Sequence, residues 1–330
     1  MTCVDFSRTD KETPAFVTAE NFDCEDFIFA TSHAQIVGAS SDLLKQVEEA
    51  DRCGSVIVRG FDGAVTSIAT HPSAPIAVAS VETDRIHMVD TEAQCIRATR
   101  DLQASGAMQF TPDARFLMCG SSSTGTLTVL DAETLDELQV IDGVLKSGVT
   151  HIAVAPDGLT MATVDASRAT TLFSWMVDPE ASVGDRLDSD AGAADESAPE
   201  KSWVFVGSFR AHGAAVQDLV WGSADGADGG AARLWSVGAD GYLVEYDVEG
   251  STVEGGVKLL SRTRVARGDA KVRALAYMKG WGGAHKKEDV LLTADEQFKV
   301  SVPRASLCAG SALLTPRDNP GSRYRRGRSA

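Results

Sequence analysis

A module of short strands and tight turns recurs along this chain, and it is clearest over residues 63–90. β-Branched residues form three short runs there, separated by His71-Pro72 and by Glu82-Thr83-Asp84. Proline removes a backbone donor, and acidic and hydroxyl side chains close tight turns. A helix of useful length is excluded, because Pro72 and Pro75 would break it. The segment therefore predicts three short β-strands joined by turns.

The module returns at a nearly constant period. The first turn of each repeat contains a proline, and Pro72, Pro112 and Pro156 are 40 and 44 residues apart. A hydrophobic residue followed by aspartate closes the third strand, in Val89-Asp90, Leu130-Asp131, Val177-Asp178 and Tyr246-Asp247. A period of roughly 40–45 residues with four short strands per repeat is the pattern of propeller blades. The sequence therefore predicts an all-β fold, a β-propeller of four-stranded antiparallel blades.

The repeats also predict how the chain is divided. Blades are expected at about 60–104, 105–146, 147–212 and 213–265, with a partial blade at 270–302 and a degenerate one at 21–59. Three further segments contain too few apolar residues to offset the entropy of ordering. They are a flexible N-terminal segment (1–20), an acidic disordered insertion (178–201) and an Arg-rich disordered tail (303–330).

Charge and composition limit the classes of partner. The net charge is −16, and residues 1–200 contain 12 Lys or Arg against 33 Asp or Glu, whereas residues 201–330 contain 19 against 14. Nucleic-acid binding needs a basic face, so no nucleic acid is expected. An acidic body suits basic protein partners, or is simply a solvated surface. No apolar run reaches about 18 residues, so no membrane segment is expected, and the N-terminus does not have the pattern of a signal peptide.

Motifs that carry catalytic or cofactor chemistry are absent from the sequence. There is no phosphate-binding Gly-rich loop, no dinucleotide fingerprint, no His-Glu-x-x-His and no EF-hand spacing. The six cysteines form no Cys-x-x-Cys pair, which indicates reduced thiols in a cytoplasmic compartment. We therefore expect no cofactor, no metal and no small-molecule ligand.

The repeat at residues 211–247 resembles the WD-repeat propeller family. That family has Gly-His near the start of a repeat, Ser or Thr in the second strand, Asp in the next turn and Trp-Asp at the end of the third strand. Ala211-His212, Ser236, Asp240 and Tyr246-Asp247 stand in those places here. The resemblance implies a buried hydrogen-bonded network of these side chains, with Tyr246 in place of the indole. Because a network satisfies buried polar groups, we expect it to be structural rather than a catalytic triad.

The other repeats depart from the family pattern. Phe61 stands at the histidine position of the first clear blade, and Val89, Leu130 and Val177 stand at the tryptophan position. Only a packing role is expected there. The recognisable blades are also fewer than the seven typical of the family. Either the degenerate region hides further blades, or this chain is part of a longer propeller or needs a partner to close it.

A narrower resemblance covers residues 291–300, Leu-Leu-Thr-Ala-Asp-Glu-Gln-Phe-Lys-Val. This segment is similar to one in the large cilia- and flagella-associated WD-repeat proteins of the calmodulin- and spoke-associated complex. The resemblance implies an axonemal location and axonemal or spoke proteins as partners. The chain departs from the family from Ser301 onward, so the family's calcium-binding function is not carried over.

Together these features favour a non-enzymatic scaffold for protein–protein interaction, in the cytoplasm or the axoneme of a cilium or flagellum. Trp203, Trp221 and Trp281 are candidate interface anchors, although core positions would also explain them. One alternative is a cytosolic adaptor in ubiquitin ligation or trafficking. A more remote alternative is a propeller hydrolase, which needs acidic or histidine side chains converging on the central channel. Asp218 is the only acidic residue within a clear inner strand.

Overall fold

The computed structural model describes residues 4–7, 26–31, 33–40, 55–104, 106–177, 201–223, 232–266, 270–281, 288–297 and 299–302. Every regular element within these ranges is a β-strand, and the strands form six antiparallel sheets. No helix long and apolar enough to cross a membrane occurs among them. The predicted all-β fold of four-stranded antiparallel sheets is therefore confirmed.

The first three sheets follow one another in chain order. Sheet 1 contains β1 (Val4–Ser7), β2 (Asp26–Thr31), β3 (Gln35–Ser40) and β4 (Ser55–Arg59). Sheet 2 contains β5 (Val65–Thr70), β6 (Ile76–Val81), β7 (Arg85–Asp90) and β8 (Cys95–Asp101). Sheet 3 contains β9 (Met108–Phe110), β10 (Phe116–Gly120), β11 (Leu127–Asp131) and β12 (Glu137–Ile141).

The remaining three sheets continue the series. Sheet 4 contains β13 (Val149–Val154), β14 (Thr160–Asp165), β15 (Thr170–Val177) and β16 (Lys201–Phe209). Sheet 5 contains β17 (Val216–Ser223), β18 (Ala232–Gly238), β19 (Tyr242–Thr252) and β20 (Gly256–Arg264). Sheet 6 contains β21 (Val272–Trp281), β22 (Glu288–Asp295) and β23 (Val300–Ser301).

The sheets pack face to face in chain order, and their first strands lie side by side around a common axis. β1 lies beside β5, β5 beside β9, β9 beside β13, β13 beside β17, and β17 beside β21. Central strands are therefore covered on both faces, and all five residues of β10 are buried. The outermost strand β8, by contrast, has no fully buried residue. In the described part of the chain, sheets 1 and 6 make no extensive contact, so the arc of six sheets is not closed.

The first strands share a local irregularity. In β5, β13, β17 and β21 the pairing register shifts after the opening valine, at Val65, Val149, Val216 and Val272. A β-bulge bends the strand and increases its twist. Its recurrence shows that these sheets are copies of one module.

The aspartate that recurs after the third strand closes the next turn. The Oδ1 atom of Asp131 accepts hydrogen bonds from the N–H groups of Glu133 at 2.9 Å and Thr134 at 2.8 Å. Asp90 accepts two such bonds in sheet 2, and Asp247 accepts one from Gly250 in sheet 5. The hydrogen bond from the Thr134 N–H is the main reason that the pKa of Asp131 lies below its ordinary value.

Sheet 4 departs from the predicted repeat. Met161 in sheet 4 and Leu234 in sheet 5 occupy equivalent positions on the second strand. Their partners on the third strand are Phe173 and Tyr246, so Phe173-Ser174 takes the place of Tyr246-Asp247. The prediction of Val177-Asp178 for that place is wrong, because β15 runs on to Val177 before it ends.

Other predicted segments are described only in part. Residues 1–20 are predicted to be flexible, but the structure places Val4–Ser7 in sheet 1, paired with β2. That expectation is corrected at these positions, since the partner strand lies far along the chain and local patterns do not reveal it. The predicted insertion at 178–201 lies outside the described residues except for Lys201, which begins β16. The tail at 303–330 also lies outside them.

Replacing the turn-closing aspartate tests the module. We expect Asp131→Ala to lower the free energy of unfolding by about 1 kcal/mol, because two backbone N–H groups lose their acceptor. The folded pKa is lowered, so the stabilisation is present above the carboxyl's unfolded pKa and is lost as the pH falls through the folded value. Urea unfolding at neutral and acidic pH measures both effects. Asp136→Ala removes an exposed carboxylate from the same turn and is the control; equal losses in the two variants would contradict the assignment.

Candidate functional site

The four polar residues predicted to form a network meet between the loop that precedes sheet 5 and the second and third strands of that sheet. His212 Nδ1 lies 3.1 Å from Asp240 Oδ1, and His212 Nε2 lies 2.8 Å from Ser236 Oγ. Ser236 Oγ lies 3.0 Å from the hydroxyl of Tyr246. The N–H of Gly213 donates to Asp240 Oδ2 at 2.8 Å. The network thus ties the loop at 212–213 to β18, β19 and the turn between them.

Burial determines the proton positions in this network. Burial lowers the pKa of His212, despite the opposing effect of Asp240, so the imidazole is neutral at pH 7. Burial tends to raise the pKa of Asp240. Hydrogen bonds from Gly213 and His212 outweigh this effect and keep the pKa of Asp240 below its ordinary value. We place the proton of neutral His212 on Nδ1, which donates to Asp240 Oδ1. Nε2 then accepts a hydrogen bond from the Ser236 hydroxyl. Ser236 Oγ is then free to accept from Tyr246.

A fifth residue, which the sequence did not predict, extends the network into sheet 4. Thr170 Oγ1 lies 2.8 Å from the Tyr246 hydroxyl. Thr170 opens β15, so a continuous line of hydrogen bonds joins two neighbouring sheets. The contact is not local in sequence, and a threonine at the start of a strand gives no signal of it.

The Ser-His-Asp arrangement has the order of a catalytic triad but not its accessibility. Ser236 is fully buried and its oxygen already lies between His212 and Tyr246. A nucleophile must approach a substrate atom, and this hydroxyl has no open side. The geometry is that of a structural network.

Sheets 2, 3 and 4 have other residues at the Ser236 and Tyr246 positions of this network. Residues Ala79, Cys119 and Thr163 occupy the Ser236 position in sheets 2, 3 and 4, and Val89, Leu130 and Phe173 occupy the Tyr246 position. The hydroxyl of Thr163 is buried without a hydrogen-bond partner. Its sheet has Phe173 where sheet 5 has Tyr246, so the partner hydroxyl is missing. Val89 and Leu130 are buried, in keeping with the packing role predicted for them, whereas Val177 does not lie at this position.

Acidic and histidine side chains on the first strands bind the neighbouring sheet. Asp218 accepts the N–H of Leu219 at 2.8 Å and the N–H of Leu275, in sheet 6, at 2.7 Å. Burial raises the pKa of Asp218. His151 Nε2 donates to the carbonyl oxygen of Gln217 at 3.0 Å, and burial lowers its pKa. In the described ranges, no three His, Cys, Asp or Glu side chains are grouped to hold a metal ion.

Two of the three tryptophans predicted as interface anchors are buried in the core. Trp203 is 2% exposed and Trp221 is 7% exposed, and the Trp221 indole N–H donates to the Ala153 carbonyl oxygen at 2.8 Å. The interface expectation is corrected for these two residues, which belong to the core between sheets. Trp281 ends β21, and its side chain lies outside the described part.

Removing the Tyr246 hydroxyl tests the network. We expect Tyr246→Phe to lower the free energy of unfolding by about 1–3 kcal/mol, because the buried Thr170 hydroxyl loses its partner and Ser236 keeps only its hydrogen bond to His212. Chemical denaturation measures the difference. Tyr242→Phe, on the same strand with its ring against Arg262, is the matched control and should leave stability unchanged. Equal effects of the two variants would show that the Tyr246 hydroxyl contributes only packing.

The buried histidines predict a pH dependence. Burial is the main cause that lowers the pKa values of His71, His151 and His212 below 6.5. The unfolded chain therefore binds more protons than the native chain just below pH 6.5, and the free energy of unfolding should fall as the pH drops through this region. The raised pKa of Asp218 has the opposite effect at lower pH, because there the native chain binds the proton more readily than the unfolded chain does.

Urea titrations between about pH 7.5 and pH 5.5 measure this slope. His151→Gln keeps a donor for the Gln217 carbonyl oxygen but cannot be protonated, so it should show a shallower slope. A slope unchanged in this variant, or a wild-type chain that gains stability on acidification, would contradict the assignment.

The chain is 26% identical over 249 residues to cilia- and flagella-associated protein 251 of Chlamydomonas reinhardtii, covering 74% of this chain and 27% of that protein. It is 23% identical over 309 residues to the protein of the same name from Tetrahymena thermophila, covering 85% of this chain and 29% of that protein. The chain thus spans less than a third of the length of either relative. No family model matches it.

Solved structures show the same architecture. A chain of the mitotic checkpoint complex superposes with a TM-score of 0.56 at 14% identity, over 85% of this chain and 71% of that one. The β-propeller domain of Cps50 (Swd1) from Myceliophteria thermophila superposes with a TM-score of 0.54 at 13% identity, over 85% and 80%. At such identities the likeness establishes the fold alone. The chain has the fold of a WD-repeat β-propeller, and its sequence is similar to that of cilia- and flagella-associated protein 251 over most of its length.

Proposed function

We propose that this chain is a non-enzymatic scaffold of the ciliary or flagellar axoneme, whose propeller holds other proteins through its faces and loops. The observation that carries the proposal is sequence similarity to two cilia- and flagella-associated proteins across 74% and 85% of the chain. A similarity of that extent includes most of the sheets, whereas the resemblance at residues 291–300 covers one sheet only. The finer assignment, to the calmodulin- and spoke-associated complex with spoke proteins as partners, rests on that narrower resemblance.

The arrangement of the polar side chains supports a binding role. His212, Ser236 and Asp240 are used to hold a loop against sheet 5, and Asp218 and His151 bind the backbone of the next sheet. These side chains are of types that suit acid–base or nucleophilic chemistry, and each has a structural partner. A propeller whose polar side chains stabilise its own framework suits a rigid platform better than an active centre.

Location in the cell tests the proposal. We expect the chain, expressed with a small epitope tag in Chlamydomonas reinhardtii, to remain with the axoneme after the ciliary membrane is removed by detergent. The Swd1 propeller domain carrying the same tag is the matched control, because it shares the fold at 13% identity. Retention of this chain but not of the control would separate axonemal binding from a general property of propellers.

Two outcomes would contradict the proposal. A chain found only in the cell body would favour the cytosolic adaptor. Equal retention of both propellers would show that the axoneme traps such folds non-specifically. Immunoblots of cell body, membrane-matrix and axoneme fractions distinguish these outcomes.

A further inference from the structure

Each sheet has an entry end, defined as the end at which its first strand begins and its second strand turns into its third. Cationic side chains gather at the entry end of sheets 4, 5 and 6, on the turns and on the loops that join these sheets. This set, the cationic patch, consists of Arg168, Arg210, Arg262, Arg264, Lys271, Arg273 and Lys299, and all of them except Arg168 are exposed. The patch lies on a chain with a net charge of −16, so its positive charge is a local feature and not a property of the whole surface.

The acidic side chains at this end are already engaged by the chain itself. They are Asp165, Asp240, Asp295 and Glu296, and each accepts a hydrogen bond from a backbone N–H. At the entry end of sheet 2 the balance of charge is reversed, because Arg85 lies between the carboxylates of Asp62 and Asp101, which both accept its N–H groups at 2.8 Å. Positive charge is therefore concentrated in one sector of the arc.

Two arginines of the patch are held in place by sheet 5 and its loop. A guanidinium N–H of Arg168 donates to the carbonyl oxygen of Gly213. The guanidinium of Arg262 lies 4.1 Å from the centroid of the Tyr242 ring and donates to Asp240 Oδ2 at 3.3 Å. Both side chains thus have their positions set by the framework.

Arg273 is held in the same way on the first strand of sheet 6. It donates to Gln217 Oε1 at 3.0 Å and lies 3.5 Å from Glu296 Oε2, yet its side chain is 53% exposed. A guanidinium has five N–H donors, and the contacts described here use only part of them. An arginine whose planar group is already oriented loses less conformational entropy when it binds a carboxylate. The patch is therefore suited to carboxylate groups.

We propose that the cationic patch binds an acidic peptide segment of a partner protein, whose Asp and Glu carboxylates pair with the guanidinium groups. Arginine binds carboxylates through two parallel N–H···O hydrogen bonds, which gives direction as well as charge. The proposal rests on the scaffold function, because it names the surface and the chemistry through which the scaffold holds a partner. It does not depend on the axonemal location.

A short acidic segment fits the patch better than a nucleic acid or an anionic membrane does. A nucleic acid carries negative charge far beyond the patch, and a membrane presents a flat charged surface to the whole entry end of the arc. Either one would meet the entry end of sheet 2, where Glu82 and Asp84 are exposed. Like charges repel there. A peptide segment can be confined to sheets 4–6.

Binding of a fluorescent poly-glutamate peptide to the purified full chain tests the proposal. We expect a complex, measured by fluorescence anisotropy, whose affinity falls as the salt concentration rises, because salt screens exposed charges. A glycine–serine peptide of equal length should not bind.

Charge reversal at the two ends of the molecule supplies the matched variants. Lys271→Glu, within the patch, should weaken binding roughly fivefold to tenfold, since it replaces an attraction by a repulsion. Lys258→Glu makes the same change at the opposite end of sheet 5 and should leave binding unchanged. Both side chains are exposed, so both variants should fold, and a melting curve checks this. Arg273→Lys keeps the charge but removes the planar group, and should weaken binding roughly threefold.

Each other result overturns the inference. These results are no binding of the poly-glutamate peptide, equal losses in Lys271→Glu and Lys258→Glu, or tighter binding of single-stranded RNA or of phosphatidylserine vesicles than of the peptide. Binding that appears only after the acidic residues between positions 179 and 200 are replaced by serine would show that the chain's own segment occupies the patch.

The location experiment is independent of this one. A chain retained on the axoneme that does not bind the peptide would leave the proposed function standing and remove only the peptide site. A chain that binds the peptide but is found only in the cell body would do the reverse.

Discussion

The structure depends on one constraint, which is that a four-stranded sheet with two apolar faces must be covered on both of them. Met118 and Phe173, for example, are completely buried on strands whose other faces are also buried. Full burial of such a side chain contributes roughly 1.5–3 kcal/mol, and a single sheet in water realises little of it. Neighbouring sheets supply the cover for each other. The repeat in the sequence is thus a physical requirement of the fold.

Packing of faces leaves the innermost strand of each sheet with an unpaired backbone edge, and polar side chains of adjacent sheets satisfy it. Gln109 accepts the N–H of Val154, Trp221 donates to the carbonyl oxygen of Ala153, and Asp218 accepts the N–H of Leu275. A buried carboxylate is costly, as the raised pKa of Asp218 shows. Two N–H donors offset part of that cost. The polar residues near the axis therefore join sheets, and this also explains why their types alone resemble the parts of an active site.

The sequence pattern predicts the structure well where the contacts join residues that are close together in the chain. The alternation and turns around Pro72 predict β5, β6 and β7, and the resemblance of residues 211–247 to the WD repeat implies that His212, Ser236, Asp240 and Tyr246 meet. Where partners are distant in the chain, the pattern fails. Thr170 reaches Tyr246 from another sheet, and Val4–Ser7 pairs with a strand beyond a long intervening segment. Trp203 and Trp221 could not be separated from surface anchors, because burial between sheets is decided only when the sheets pack.

The completeness of the network in sheet 5 has a consequence for the end of the arc. Within the described residues, sheet 6 packs against sheet 5 through Asp218 and through the stacking of Tyr277 on Trp235, whose ring centroids lie 5.8 Å apart. Both supports belong to sheet 5, and the His212–Tyr246 network fixes that sheet against its own loop and against sheet 4. Among the described residues, the complete polar network thus lies in the sheet that supports sheet 6.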